Sequence, residues 1–130
     1  MAHEIVLDTY KLLVIFPECE SNNLVSQLRR AVTCLPLNIA EGSGARSYKI
    51  FLNFCIFCYR SSREVEAILE LAKDLKYISL EQYDTHSGKM GLFMRKLYHY
   101  MEFLDRKIEE RKSAWAQYEK WKIDKSRENK

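Results

Sequence analysis

A chain of 130 residues, 47% hydrophobic and 30% charged, fits one domain with little room for a second, and it can bury a core while staying soluble. Its 4 Gly and 2 Pro are too few for a sheet protein, which needs turn residues roughly every ten positions, so the elements should be few, long and helical. The formal net charge is +3 and unevenly placed: residues 1–78 hold nine basic and nine acidic side chains, and residues 79–130 hold twelve against nine, a pointer to a polyanionic partner.

The first predicted helix runs from about Glu4 to Phe16, with Ile5, Leu12, Leu13 and Phe16 near one face and Pro17 as its stop. The polar segment ECESNN follows, and Asn22 or Asn23 is placed to cap the next helix. That second helix starts near Leu24, and Leu24, Leu28, Ala31, Leu35 and Ile39 form one apolar stripe. Pro36 lies inside the stripe, where it removes a backbone donor and crowds the preceding turn, so a kink is expected. Gly42 and Gly44 are expected to supply the left-handed conformation that ends it.

The third helix is predicted over Ser47 to Lys76, with Phe51, Cys55, Cys58, Ser62, Val65, Leu69 and Ala72 as a seam. The run SLEQ, Ser79 to Gln82, has capping-box spacing and opens a fourth helix. Its seam reads Met90, Phe93 or Met94, Leu97, Met101, Leu104 and Ile108, with a continuation through Trp115 and Tyr118 interrupted by Arg111. Gly88 and Gly91 weaken its first turns, so it is expected to begin raggedly or only after Gly91. The end of the chain reads as a frayed, charged tail. The expected fold is all-α: an antiparallel up-down-up-down four-helix bundle with a kinked second helix over residues 1–120, followed by a tail over 121–130.

Few residues carry a signature of chemistry. The N-terminus lacks a basic region followed by an apolar run, no segment approaches the roughly 18–20 apolar residues of a membrane span, and four cysteines read as reduced thiols, all consistent with a cytoplasmic protein that meets no membrane. The pair Cys55 and Cys58 has redox or half-zinc spacing, but Cys19 and Cys34 are isolated and His3, His86 and His99 lack metal spacing. Both paired thiols also fall on a core seam, which is the reading adopted. No nucleophile elbow or paired-His motif appears, the GSG after Glu41 is too short for a phosphate loop, and Asp105 with Glu109 lies among basic residues on a solvated face. No catalytic residue, metal or cofactor is expected, and the chain is read as a non-enzyme.

A second line on helix two, Gln27, Arg30, Cys34, Asn38 and Glu41, is polar and adjoins the stripe. It is read as a structural network: Arg30, Asn38, Glu41 and Arg46, with Arg30 or Arg46 pairing to Glu41, fix the corner between helices two and three. The stretch PLNIAEGSGARS, Pro36 to Ser47, is therefore a helix end and corner and no active site. Basic residues gather at Arg46 and Lys49, at Arg60 and Arg63, and along helix four at Arg95, Lys96, Arg106, Lys107, Arg111 and Lys112. Lysine and arginine near phosphates release counterions and bind without sequence preference. Tyr98, Tyr100, Trp115, Tyr118 and Trp121 are available to stack on bases. Phosphate contacts are assigned to Arg60, Arg63, Arg106, Lys107, Arg111 and Lys112.

From FPE at Phe16 through Arg29-Arg30-Ala31, Pro36, NIAEG at Asn38 to Gly42, Arg46-Ser47 and Phe51, to Ser61, Glu64, Glu66, Leu75 and Tyr77-Ile78, the chain resembles a family. These are the four-helix-bundle proteins read from intervening sequences in bacterial 23S ribosomal RNA genes, related to the accessory variability proteins of diversity-generating retroelements. The resemblance implies an antiparallel bundle assembling as a homo-oligomeric ring, commonly a pentamer. In the retroelement branch it implies a positive surface that holds RNA or DNA beside a reverse transcriptase. The chain departs from the family pattern at Cys58 and Arg60, where small Ala and Gly residues are usual. The expected function is a nucleic-acid-binding adaptor; the alternative is a structural or protein-interaction module without a nucleic-acid partner.

Overall fold

The computed structural model describes residues 1–129. Four helices follow one another: α1 (Ala2–Leu13), α2 (Leu24–Ser43), α3 (Tyr48–Asp74) and α4 (Leu80–Glu128), with a 3-10 turn at Glu18–Glu20 and no strand among the described residues. Each packs on its neighbours in the order α1, α2, α3, α4 and back to α1, α2 against α3 most extensively, so the chain forms an up-down-up-down four-helix bundle.

The stripes read from the sequence are the ones that meet. Leu24, Leu28, Ala31, Val32 and Leu35 of α2 are buried against Cys55, Cys58, Ser62, Val65, Leu69 and Ala72 of α3 and against Met90, Phe93, Met94, Leu97 and Leu104 of α4. Two buried hydroxyls satisfy themselves on the preceding turn: Thr9 donates to the Ile5 carbonyl at 2.6 Å and Ser62 to the Cys58 carbonyl at 2.9 Å.

The helix ends depart from expectation in instructive ways. Helix α1 stops at Leu13, and Ile15 and Phe16 bond back to Leu12 and Leu13 in a tightened turn, because a residue preceding proline is pushed out of helical geometry. Asn23 stands at the N-cap of α2 without capping through its side chain; Glu20 accepts from the Leu24 N–H at 3.3 Å instead. Helix α2 runs through Pro36 as one element to Ser43. The capping box of α4 is complete, Ser79 accepting from the Gln82 N–H at 3.1 Å while Gln82 accepts from the Ser79 N–H at 2.8 Å. That box starts α4 at Leu80, ahead of both glycines, rather than after Gly91.

The glycines at the α2–α3 corner work by size. No glycine has a positive φ, and Gly44, the C-cap of α2, sits at φ −88°. Gly42 is buried, and a Cβ there would lie 2.6 Å from Cδ2 of Phe51 and 2.9 Å from Cβ of Phe54. The glycine is needed because α2 ends against two aromatic residues of α3. The left-handed residue is Lys76, φ 63°, which closes α3 in a Schellman turn with the Tyr77 N–H on the Ala72 carbonyl at 2.8 Å.

Helix α4 has 49 residues, about 74 Å at 1.5 Å per residue. Its last buried residue is Leu104 and its last half-buried one Ile108, so residues 109–129 stand outside the bundle, helical through Glu128. One ion pair ties α1 to the start of α4: Lys89 donates to Asp8. The hydrogen bond from Lys89 holds the Asp8 carboxyl below its ordinary range, and the same bond raises the Lys89 ammonium.

Two outcomes follow from these contacts. Gly42→Ala should destabilise the bundle by about 1–3 kcal/mol through overpacking, whereas Gly88→Ala, with nothing near its added methyl, should stabilise it by about 0.5–1 kcal/mol; urea unfolding of both variants gives the two signs. The Asp8 link contributes stability above the ordinary carboxylate range and loses it as pH falls through the lowered value. Asp8→Asn should therefore unfold at lower temperature than the parent at neutral pH, and the difference should close in acid.

Candidate nucleic-acid interface

At the α2–α3 corner the chain leaves α2 through Gly44 and Ala45 and enters α3 at Ser47, whose hydroxyl accepts from the Ile50 N–H at 3.2 Å. The first turn of α3 contains no acidic residue, so the positive end of its dipole is left unbalanced. Arg46 and Lys49 flank that terminus. Helix α4, rising antiparallel to α3, passes the same corner as it leaves the bundle, and the Arg111 guanidinium lies 4.4 Å over the Tyr48 ring.

Two shallow grooves meet there. One, of about 270 Å³, includes Arg46, Tyr48, Tyr100 and Arg111 in its lining. The other, of about 290 Å³, includes Tyr48, Lys49, Arg111, Lys112 and Trp115. Four cations from two distant segments of sequence thus converge on one corner. Among the described residues only Lys112 has a carboxylate partner, Glu109 at 3.4 Å, both side chains being largely exposed. Such a pair is worth little in water and is easily exchanged for a phosphate.

Of the six residues assigned to phosphate contact five are exposed and Lys107 is half-buried, and they do not form one patch. Arg60 and Arg63 lie 12 residues or more beyond Tyr48 on α3, at least about 18 Å along its axis. Tyr59 beside them packs on Tyr98 at 6.4 Å, and Arg63 faces Glu66 at 3.5 Å. Arg60 is exposed on α3, so its bulk is accommodated outside the core, while Cys58 is fully buried and lies 3.5 Å from the Leu35 carbonyl. On α4, steps of five residues turn the helix by about 140°, which spreads Arg106, Lys107, Arg111 and Lys112 around its circumference. Arg106 shares a groove with Asp105, Glu109 and Glu110, and Lys107 reaches Glu110 at 3.4 Å. Arg111 and Lys112 belong to the corner.

The structural network expected at this corner is different from the one present. Glu41 is exposed and is paired with neither Arg30 nor Arg46 among the described residues. Arg30 is also exposed, eleven residues or about 16 Å before Glu41 on α2. Asn38 alone plays a local structural part, donating to the Cys34 carbonyl at 2.8 Å. Arg46 joins the cationic cluster instead. Its membership, and that of Lys49 and Tyr48, follows from where α4 crosses the start of α3, which no local motif in the sequence announces.

The first 99 residues match the family model for the 23S rRNA-intervening sequence protein. The chain belongs to the 23S rRNA-intervening sequence protein family. A crystal structure of a protein of unknown function from the S23 ribosomal protein family of Bacteroides thetaiotaomicron is similar, with a TM-score of 0.67 and 28% identity over 77% of this chain and 90% of that one. No curated protein matches. The family match ends within α4, so the stretch that carries Arg111, Lys112 and all that follows lies beyond it.

Among the described residues no helix is long and apolar enough to cross a membrane. Among the described residues no group of three or more metal-ligating side chains comes together. Burial pushes the Cys58 thiol up to about 12 and raises that of Cys55 as well, so both stay protonated and pack as small apolar groups. Iodoacetamide at mildly alkaline pH should accordingly modify exposed Cys19 in the native protein and reach Cys55 and Cys58 only after denaturation; mass mapping of the labelled peptides checks this.

Proposed function

We propose that this member of the 23S rRNA-intervening sequence protein family is a non-enzymatic adaptor that binds nucleic acid through its phosphates. The supporting observation is the convergence of Arg46, Lys49, Arg111 and Lys112 on the unbalanced N-terminus of α3. Cations held in this way attract a polyanion and release its counterions, which gives tight binding at low salt and little preference among sequences. Arg60 and Arg63, about 18 Å further along α3, offer a separate second point of contact for a strand that follows the bundle.

The resemblance to accessory variability proteins extends the proposal to a ring of five copies working beside a reverse transcriptase. A net charge of +3 on one chain is modest, and five copies would carry about +15, enough to steer a polyanion. Sedimentation mass of the purified protein, and co-purification with a reverse transcriptase encoded nearby, examine those two parts separately.

A mobility-shift titration tests the central claim. Retardation of RNA or DNA should weaken steeply as salt rises from about 50 to 200 mM, and the double substitution Arg46→Glu, Arg111→Glu should cut the log–log slope by about 1.4–1.8. Arg60→Glu with Arg63→Glu should cost less if the corner leads. Absence of retardation at low salt would leave the protein as a structural or protein-interaction module.

A further inference from the structure

We propose that the free length of α4 is a stacking platform for single-stranded nucleic acid, an inference that rests on the polyanion reading above and gives it a ligand class.

Beyond Ile108 no described residue of α4 is buried and Arg111 reaches back over the Tyr48 ring, yet the side that buries Leu97 and Leu104 lower down goes on carrying large aromatic residues. Trp115, Tyr118 and Trp121 are 62%, 49% and 56% exposed. Spaced by three residues, they advance along one side of the helix, with ring centroids 5.7 Å apart for the first pair and 6.0 Å for the second, the latter stacked at 27°. The ladder continues toward the bundle as Tyr100 and Phe103, stacked at 5.6 Å and 28°. Arg111 sits between the two groups, so the ladder begins at the cationic corner.

The charges on this side share one sign. At 100° per residue, a sector of about 120° centred on Tyr118 holds Lys107, Arg111, Lys122 and Lys125 but no carboxylate between Tyr100 and Lys125. Glu110, Glu119 and Glu128 lie at or beyond its borders. Lys107 and Lys125 lean to Glu110 at 3.4 Å and Glu128 at 3.2 Å, exposed pairs that a phosphate can displace. Aromatic rings interleaved with cations along an open track are the elements of single-strand recognition, in which bases stack on the rings while the backbone follows the charges.

Other occupants fit less well. A second copy pairing through this side would bury Arg111, Lys122 and Lys125 in the seam with Ile108, Trp115 and Tyr118, and a coiled coil places apolar residues there. A lipid surface would have to take those same cations below its headgroups. A duplex keeps its base faces stacked on one another, and a helix entering the major groove reads base edges with Arg, Asn or Gln, whereas here two indoles and a phenol project.

The chain has 2 tryptophans, and both lie in the ladder, so intrinsic emission reads the site without a label. The full-length protein is titrated with a single strand of about 16 nucleotides and with the duplex of the same sequence. Saturable quenching by the single strand is expected, with at least tenfold weaker binding of the duplex and no quenching. Trp115→Ala and Trp121→Ala should each weaken single-strand binding by about tenfold with the salt slope unchanged, and Trp121→Phe should restore most of it. Circular dichroism of each variant should match the parent, since the ladder supports no core. Equal binding of duplex and single strand with unquenched emission would overturn the stacking platform while sparing the phosphate interface. No binding of either at about 50 mM salt would overturn both. Tryptophans shielded from acrylamide in the free protein, with Trp115→Ala lowering the assembly mass, would assign the ladder to a second copy and overturn the proposal.

Discussion

The closeness of α2 to α3 at Gly42 is the constraint from which the rest of the molecule's geometry follows. With only a hydrogen at that position, the end of α2 lies against Phe51 and Phe54, and the chain turns into α3 within the few residues from Gly44 to Ser47. A tight corner keeps the first turn of α3 beside the end of α2. It also brings Arg46, Tyr48 and Lys49 level with the point where α4 leaves the bundle. Moving α2 outward to admit a methyl group would disturb both the core contact and the grooves above it.

Helix α4 is two structures on one backbone. From Leu80 to Ile108 it supplies a wall of the bundle, and its apolar residues recur with the period that packing needs. From Glu109 to Glu128 every residue is exposed, and Arg111 over the Tyr48 ring ties only its first turn to the bundle. Twenty isolated residues would be marginal as a helix in water, but here the packed half serves as a nucleus and propagation adds one bond per residue. The division has a functional consequence. Charges and rings on the packed half are spaced by the demands of the core, whereas those on the free half answer only to solvent and to whatever binds.

The stripes of α2, α3 and α4 were legible because helical burial leaves a period in the sequence; the residues expected in the seams are buried or half-buried, except Trp115 and Tyr118, which are exposed where α4 leaves the bundle. The Ser79–Gln82 capping box was legible because it is local, four consecutive residues bonding to each other. Gly42 was misread as a left-handed terminator, since a glycine needed for its small size and one needed for its backbone freedom look alike in a sequence. Lys76 was missed for the converse reason: it adopts the left-handed conformation without being glycine. The expected pairing of Glu41 with Arg30 or Arg46 failed because helical spacing gives a side chain's direction around the axis and not the distance to a residue across a turn.

Amphipathic period, proline and glycine positions and one capping box, all properties of neighbouring residues, are enough to determine four helices, the face each buries and the bundle they form. Which cations meet is a different kind of fact. Arg46 and Arg111 are 65 positions apart in the chain, and only the antiparallel passage of α4 along α3 brings them to one groove, while Arg60 and Arg63, equally basic, are carried about 18 Å away. Local bonding is written in local sequence; convergence of distant charges depends on how rigid helices pack, and that is decided only when the core closes.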